Sequence, residues 1–170
     1  MTANKENIEK KCCFYASDFH LEMTIVPYIN KKLEENKNVV IVTQNKLEET
    51  VKILISRMNI KNKERILNLN WNNNDIKTIL GKDNLVIITN GSKEFIEEKN
   101  NEINKLSKDL QMELINCYSF EEVKDEMFRI RELHDGVLNN LQKNYWKNME
   151  NGILWKGISK KKGWSIWTKQ

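Results

Sequence analysis

Asp18 and His20 stand two residues apart in the turn that follows the first apolar run, KCCFYASDFH (11–20), and they are the chain's nearest approach to an acid and base pair. Proton transfer also needs a nucleophile or a metal-bound water within reach, and the sequence nominates neither. Cys12, Cys13, His20 and Cys117 are the thiol and imidazole groups that zinc prefers. Adjacent residues of a strand point to opposite faces, so Cys12 and Cys13 do not grip one ion, and no metal site is expected. The same turn bears on nucleotides. A phosphate-cradling loop uses glycines so that successive backbone N–H groups close on the anion, with a lysine behind them. Here Ala16, Ser17, Asp18 and Phe19 fill that place. Hydrolysis of ATP or GTP is therefore not expected, and no catalytic residue and no cofactor are assigned.

Only a fold that carries these residues to one rim makes them a site. Five strands are predicted: Lys11–Ala16, Asn38–Thr43 (NVVIVT), Arg65–Asn70 (RILNLN), Asn84–Thr89 (NLVIIT) and Met112–Tyr118 (MELINCY). The second and fourth are unbroken Val/Ile-rich runs, the pattern of strands covered on both faces in a parallel sheet. Between them, 47–58 places Leu47, Val51, Leu54, Ile55 and Met58 on one helical face, with Asn45 and Glu48 spaced as a capping box. Residues 92–110 repeat the pattern behind the cap Ser92. Pro27 lies well inside the first helical segment, which predicts a kink near Val26 or two short helices. Alternating strands and helices imply an open, doubly wound, mostly parallel α/β sheet with helices on both faces, Rossmann-like in architecture. A receiver domain is excluded, because Asn70 and Tyr118 stand at the strand ends where it needs Asp and Lys.

Behind the fifth predicted strand, Ser119 and Glu122 form another capping-box pattern. Val123, Met127, Ile130, His134, Val137, Leu141 and Tyr145 then recur every three or four residues. The reading is one long helix reaching about Asn148, with Asp135-Gly136 as a possible break and His134 as a packed helix histidine. Residues 1–119 are thus the sheet domain. Residues 120–170 are a long helix and a basic, Trp-containing hairpin that pack on it or extend from it, within one domain overall. A stripe longer than the sheet it covers predicts a homodimer through this helix.

In open parallel sheets the ligand crevice lies beyond the carboxyl ends of the strands, near a topological switch point. The candidate ligand-binding residues at those ends are Ser17, Asp18, His20, Thr43, Asn45, Thr89, Asn90, Gly91 and Ser92, beside Trp71 to Asn73, Tyr118 and Ser119. Helix capping and turn formation select many of the same residue types. The sharper expectation is that the Gly91 turn offers free N–H groups to an anion. With the first and fourth predicted strands side by side, Asp18, His20, Asn90 and Ser92 then line one crevice.

The whole chain has 170 residues, 31% charged and 39% apolar, with a formal net charge of +4. That suits one globular domain in the cytoplasm: the polar N-terminus is no signal peptide, and no apolar run approaches the roughly 20 residues of a membrane span. Three cysteines fit buried thiols in a reducing compartment rather than a disulfide framework. A second class of function rests on the C-terminus, where Trp155, Lys160, Lys161, Lys162, Trp164 and Trp167 combine phosphate-pairing cations with stacking surfaces for nucleic acid. Packing of those tryptophans on the core or on a second copy is the plainer account.

The segment CCFYASDFHLEMTIVPYINKKLEENKNVVIVTQNKLEETVKILI resembles the opening of MEDS domains, small sensory domains similar to RecA/KaiC-type ATPase cores that lack the phosphate-binding loop. The matching features are the Phe14-Tyr15 pair, the acidic turn residue Asp18, Pro27 within the first helix and the helix end Leu33-Glu34-Glu35-Asn36. The pattern covers about the first third of the chain. The resemblance implies a RecA-like sheet and a non-catalytic sensor or signalling domain that binds a small molecule or a regulatory protein at the strand-end rim.

Overall fold

The computed structural model of the chain describes residues 8–79, 81–107 and 110–138. Five parallel strands, β1 (Ile8–Tyr15), β2 (Asn38–Thr43), β3 (Leu85–Asn90), β4 (Met112–Ser119) and β5 (Gly136–Val137), form one sheet in the order β2-β3-β4-β1-β5. The helices are α1 (Asp18–Glu34), α2 (Glu48–Arg57), α3 (Lys63–Leu67), α4 (Lys93–Leu106), α5 (Phe120–Val123) and α6 (Met127–Glu132), with a 3-10 turn at Ile76–Ile79. The architecture is an open α/β sheet of the Rossmann/RecA-like kind.

Alternation along the strands divides the core into two layers. Cys13 and Tyr15 of β1, Ile41 of β2, Ile88 of β3 and Ile115 of β4 face α1, α2 and α3, where Leu21, Ile25, Ile29, Val51, Ile55 and Ile66 meet them. Cys12 and Phe14 face the opposite way, onto Phe120, Val123, Met127 and Ile130. On that second face Val40, Val42, Ile87 and Leu114 pack on Ile76, Ile79 and Ile103. Each such side chain stabilises the fold by about 1.5 to 3 kcal/mol on burial. The chain runs from β1 through α1 to the edge strand β2, returns through β3 and β4, then passes β1 to reach β5. The switch point therefore lies between β1 and β4, where α1 leaves on one face and α5 and α6 on the other.

Two expectations about the elements are corrected. The strand expected over Arg65–Asn70 is α3 and a turn. Only Ile66 of that segment is deeply buried, and Trp71 Nε1 donates to its carbonyl at 2.8 Å. The outer edge of β2 is instead closed by one asparagine: Thr43 N donates to Asn73 O (2.7 Å) and Asn73 Nδ2 to Ile41 O (3.0 Å). The long C-terminal helix does not form over the described residues. Its stripe is divided among α5, α6 and β5, and Val123, Met127, Ile130 and Val137 are buried in the chain's own core. The free edge of β1 decides this, because it takes β5 as a partner, with Asp135 N on Lys10 O (2.7 Å) and Leu138 N on Cys12 O (2.8 Å). Leu141, Tyr145 and the Lys/Trp hairpin with Trp155, Lys160, Lys161, Lys162, Trp164 and Trp167 lie outside the described residues. Of the two forms expected around Pro27, the chain takes the one continuous helix, α1, with Pro27 inside it.

Candidate functional site at the carboxyl ends of the strands

The turn after β1 is built on Ser17, whose extended backbone and hydroxyl make it the N-cap of α1, accepting from His20 N at 3.1 Å. His20 folds back so that its Nδ1 accepts from Ala16 N at 2.9 Å. That bond places the proton of the neutral ring on Nε2. Burial lowers the imidazole from 6.5 to about 4, so His20 is neutral at physiological pH and serves as an acceptor for the turn. Asp18 and Phe19 point outward, and Phe19 is 64% exposed. The acid and base pair of the sequence is thus split between a solvated carboxylate and a buried ring.

One turn further along α1, Glu22 is only 1% exposed and accepts from the Thr50 hydroxyl of α2. Burial raises its carboxyl pKa, the Thr50 hydrogen bond opposes that, and the Asp18 charge adds to it. The sequence gives no signal for this residue, because a Glu in a helix reads as solvated.

The ends of β2 and β3 are joined into one buried network. The Thr43 hydroxyl donates to Asn45 O (2.9 Å), and Asn45 Nδ2 donates to Asn90 Oδ1 (3.0 Å). Asn90 Nδ2 donates in turn to Tyr15 OH at 2.8 Å. Tyr15 was not among the predicted site residues; its aromatic ring at the end of the first strand was the available signal. Burial raises its phenol to about 12, against the opposing hydrogen bond from Asn90, so the group stays neutral.

Thr89 belongs elsewhere. It faces the other side of the sheet and donates to Asn116 Oδ1 at 2.6 Å, with Asn116 Nδ2 in turn 3.0 Å from His134 Nε2. His134 lies in the turn between α6 and β5 rather than in a helix. Its Nδ1 donates to Ile130 O at 2.6 Å.

Three of the N–H groups that follow Gly91 have partners within the chain. Ser92 N donates to Gln44 Oε1 (2.9 Å), Lys93 N to Glu122 Oε1 (2.7 Å), and Phe95 N to Ser92 Oγ (3.1 Å). The chain's own side chains thus take three of the donors at the start of α4. Gly91 itself is obligatory: at its φ of +157° a Cβ would come within 2.6 Å of Phe95 and 2.9 Å of Gln44 Cβ. The capping boxes also resolve differently. Asn45 turns to Asn90, Glu48 pairs with Lys52 at 2.8 Å, and Glu122 serves Lys93.

The sheet order separates the two turns expected to face each other. β4 lies between β1 and β3, so the Asp18 and Gly91 turns are two strand spacings apart, roughly 10 Å, and Tyr15 spans the interval to Asn90. The exposed residues at this end include Asp18, Glu49, Asp75, Glu121 and Glu122 beside Lys46, with Glu121 3.6 Å from Lys124, Glu49 3.9 Å from Lys52 and Lys93 paired with Glu126 at 2.8 Å. At the opposite end of the sheet a cavity of about 500 Å³ opens at the amino ends of β1, β3 and β4, lined by Glu9, Lys37, Asn84, Gln111, Glu113 and Asp135.

The thiols are buried and unpaired by disulfides. Cys12 is pushed up to about 12 by burial, and Cys117 is raised by its hydrogen bond with Cys13 and by burial. No group of three or more His, Cys, Asp or Glu residues placed to hold a metal occurs among the described residues. Among the same residues no helix is long and apolar enough to cross a membrane. Compared with known proteins, the chain matches no family model, no curated protein and no solved structure.

Proposed function

We propose that this chain is a non-catalytic regulatory domain, a sensor or signalling module of MEDS-like type, that binds a partner protein at the rim formed by the carboxyl ends of β1, β2 and β4. The observation that carries the reading is the internal closure of the rim. The donors that would hold a phosphate are taken by Ser17, His20, Gln44, Ser92 and Glu122, while Phe19 stands 64% exposed next to the exposed Asp18. An exposed apolar side chain next to a carboxylate suits a basic protein segment that brings an apolar side chain, and disfavours a nucleotide. Tyr15, Asn90, Thr43 and Asn45 form a neutral hydrogen-bonded network at the same strand ends, which supports binding rather than proton transfer.

The test is affinity purification of the full chain from the cells that express it, side by side with Phe19→Glu and Asp18→Lys variants. The expected result is a partner retained by the wild type, lost with both variants and weakened by salt. Turnover of magnesium ATP or GTP by the pure protein, abolished by Ser17→Ala or Asp18→Ala, would overturn the reading.

A further inference from the structure

Thr89, Asn116 and His134 lie on the face of the sheet away from α1 and have no part in the rim. Thr89 sits on β3, Asn116 on the neighbouring β4, and His134 immediately before β5. Thr89 and Asn116 are fully buried. Because Ile130 O only accepts, His134 Nδ1 carries a proton, and the neutral ring has its lone pair on Nε2. All three bonds then run one way: the Thr89 hydroxyl donates to Asn116 Oδ1, Asn116 Nδ2 donates to His134 Nε2, and His134 Nδ1 donates to Ile130 O. Bonds in series of this kind polarise and strengthen one another.

A proton added to Nε2 would set a donor against the Asn116 amide donors. The same three residues have a second complete arrangement. A half-turn of the Asn116 amide presents Oδ1 to the imidazolium and Nδ2 to Thr89 Oγ1. The Thr89 hydroxyl then turns to Ile115 O, which already lies at 3.4 Å. Thr89 and Asn116 are fully buried and His134 is half-buried, so a protonated ring is matched at Asn116 only if the amide turns, and otherwise the two part. We propose that Thr89, Asn116 and His134 form a proton-driven two-position latch, in which the protonation of His134 selects the direction of the hydrogen-bond chain that ties the edge strand β5 to the centre of the sheet.

The placement gives the latch leverage. β5 pairs with β1 over two residues only, Gly136 and Val137, and is otherwise held by Asp135 and Leu138 on the Lys10 and Cys12 backbone. His134 adds a hydrogen-bonded link to β4 and, through Asn116, to β3, beside the packing of Val137 in the core. The charged groups facing the ring are Lys10 of β1 and Arg131 of α6, which oppose a second proton, and Asp135, which favours it; the Tyr118 ring of β4 meets it edge-on at 6.1 Å. Burial is the largest influence and acts against the proton, so the reversal falls below the ordinary imidazole range.

Nuclear magnetic resonance of the full, uniformly ¹⁵N-labelled chain from pH 8 to pH 4 tests this directly. The chain has two histidines, so a His20→Asn variant assigns the His134 ring. At pH 8 the expected His134 is the Nδ1–H tautomer. As it titrates, the Asn116 side-chain amide and Thr89 signals should shift with the same midpoint, and an Asn116→Asp variant should raise that midpoint above the ordinary imidazole value. An Nε2–H tautomer at pH 8, or titration of His134 that leaves Asn116 and Thr89 unmoved in the wild-type protein, would overturn the proposal whether or not the variant folds.

Discussion

Acid sensitivity of the turn after β1 can be calculated from His20. Its ring is 3% exposed, accepts from Ala16 N, and is held by burial at about 4 against 6.5 when unfolded. Above pH 6.5 the ring is neutral in both states and adds no pH dependence. Below it, the unfolded chain takes up a proton that the folded chain refuses, so stability falls until the folded group titrates near pH 4. Linkage with these two values gives a loss of about 1 to 2 kcal/mol at pH 5.5 and about 2 to 3 kcal/mol at pH 4.5. His20→Asn isolates the effect, since Asn Oδ1 can still accept from Ala16 N and does not titrate. The smaller side chain costs about 1 to 2 kcal/mol at pH 7.5 through lost packing. Urea unfolding followed by circular dichroism should therefore show the variant less stable at neutral pH and level with, or above, the wild type near pH 4.5. Glu22 acts with the opposite sign, because its raised carboxyl takes up a proton in the folded state first and adds stability as the pH falls toward 4.5. His134 acts with the same sign as His20. Both are common to the two proteins and cancel in the difference. Parallel pH profiles would refute the assignment of His20 as a buried neutral acceptor.

Two substitutions probe the rim itself. Gly91→Ala forces a Cβ against Phe95 and Gln44 at a φ that L-residues rarely adopt, and should lower stability by about 2 to 4 kcal/mol in urea unfolding; a loss under 0.5 kcal/mol would mean the turn is looser than described. Tyr15→Phe leaves Asn90 Nδ2 without its 2.8 Å partner and should cost about 1 to 2 kcal/mol, whereas Asn90→Leu combined with Tyr15→Phe should cost less than the sum of the two single changes. An additive double mutant would show that the two residues do not interact.

Local chemistry made much of this protein legible from its sequence. NVVIVT, NLVIIT and MELINCY are strands because Val- and Ile-rich runs covered on both faces have no other stable use in an α/β layer. Ser17 and Ser92 cap helices because a serine hydroxyl there satisfies a backbone N–H that is otherwise unpaired. The turn at 16–19 holds none of the glycines that a phosphate cradle uses. What tertiary structure alone decided was partnership between distant segments. RILNLN alternates like a strand, but the edge of β2 is closed by Asn73, so Ile66 is buried from a helix instead. Gly136–Val137 is too short to carry any periodic signal, and it is a strand only because β1 has an open edge beside it. Placing β4 between β1 and β3 parted the Asp18 and Gly91 turns, and gave Thr89 its partner in Asn116 and Asn90 its partner in Tyr15. Gln44 and Glu122 close the start of α4 from 48 and 29 residues away along the chain, a relation that no local pattern encodes. Residue type settles which groups need partners. The order of the strands settles which partners they find.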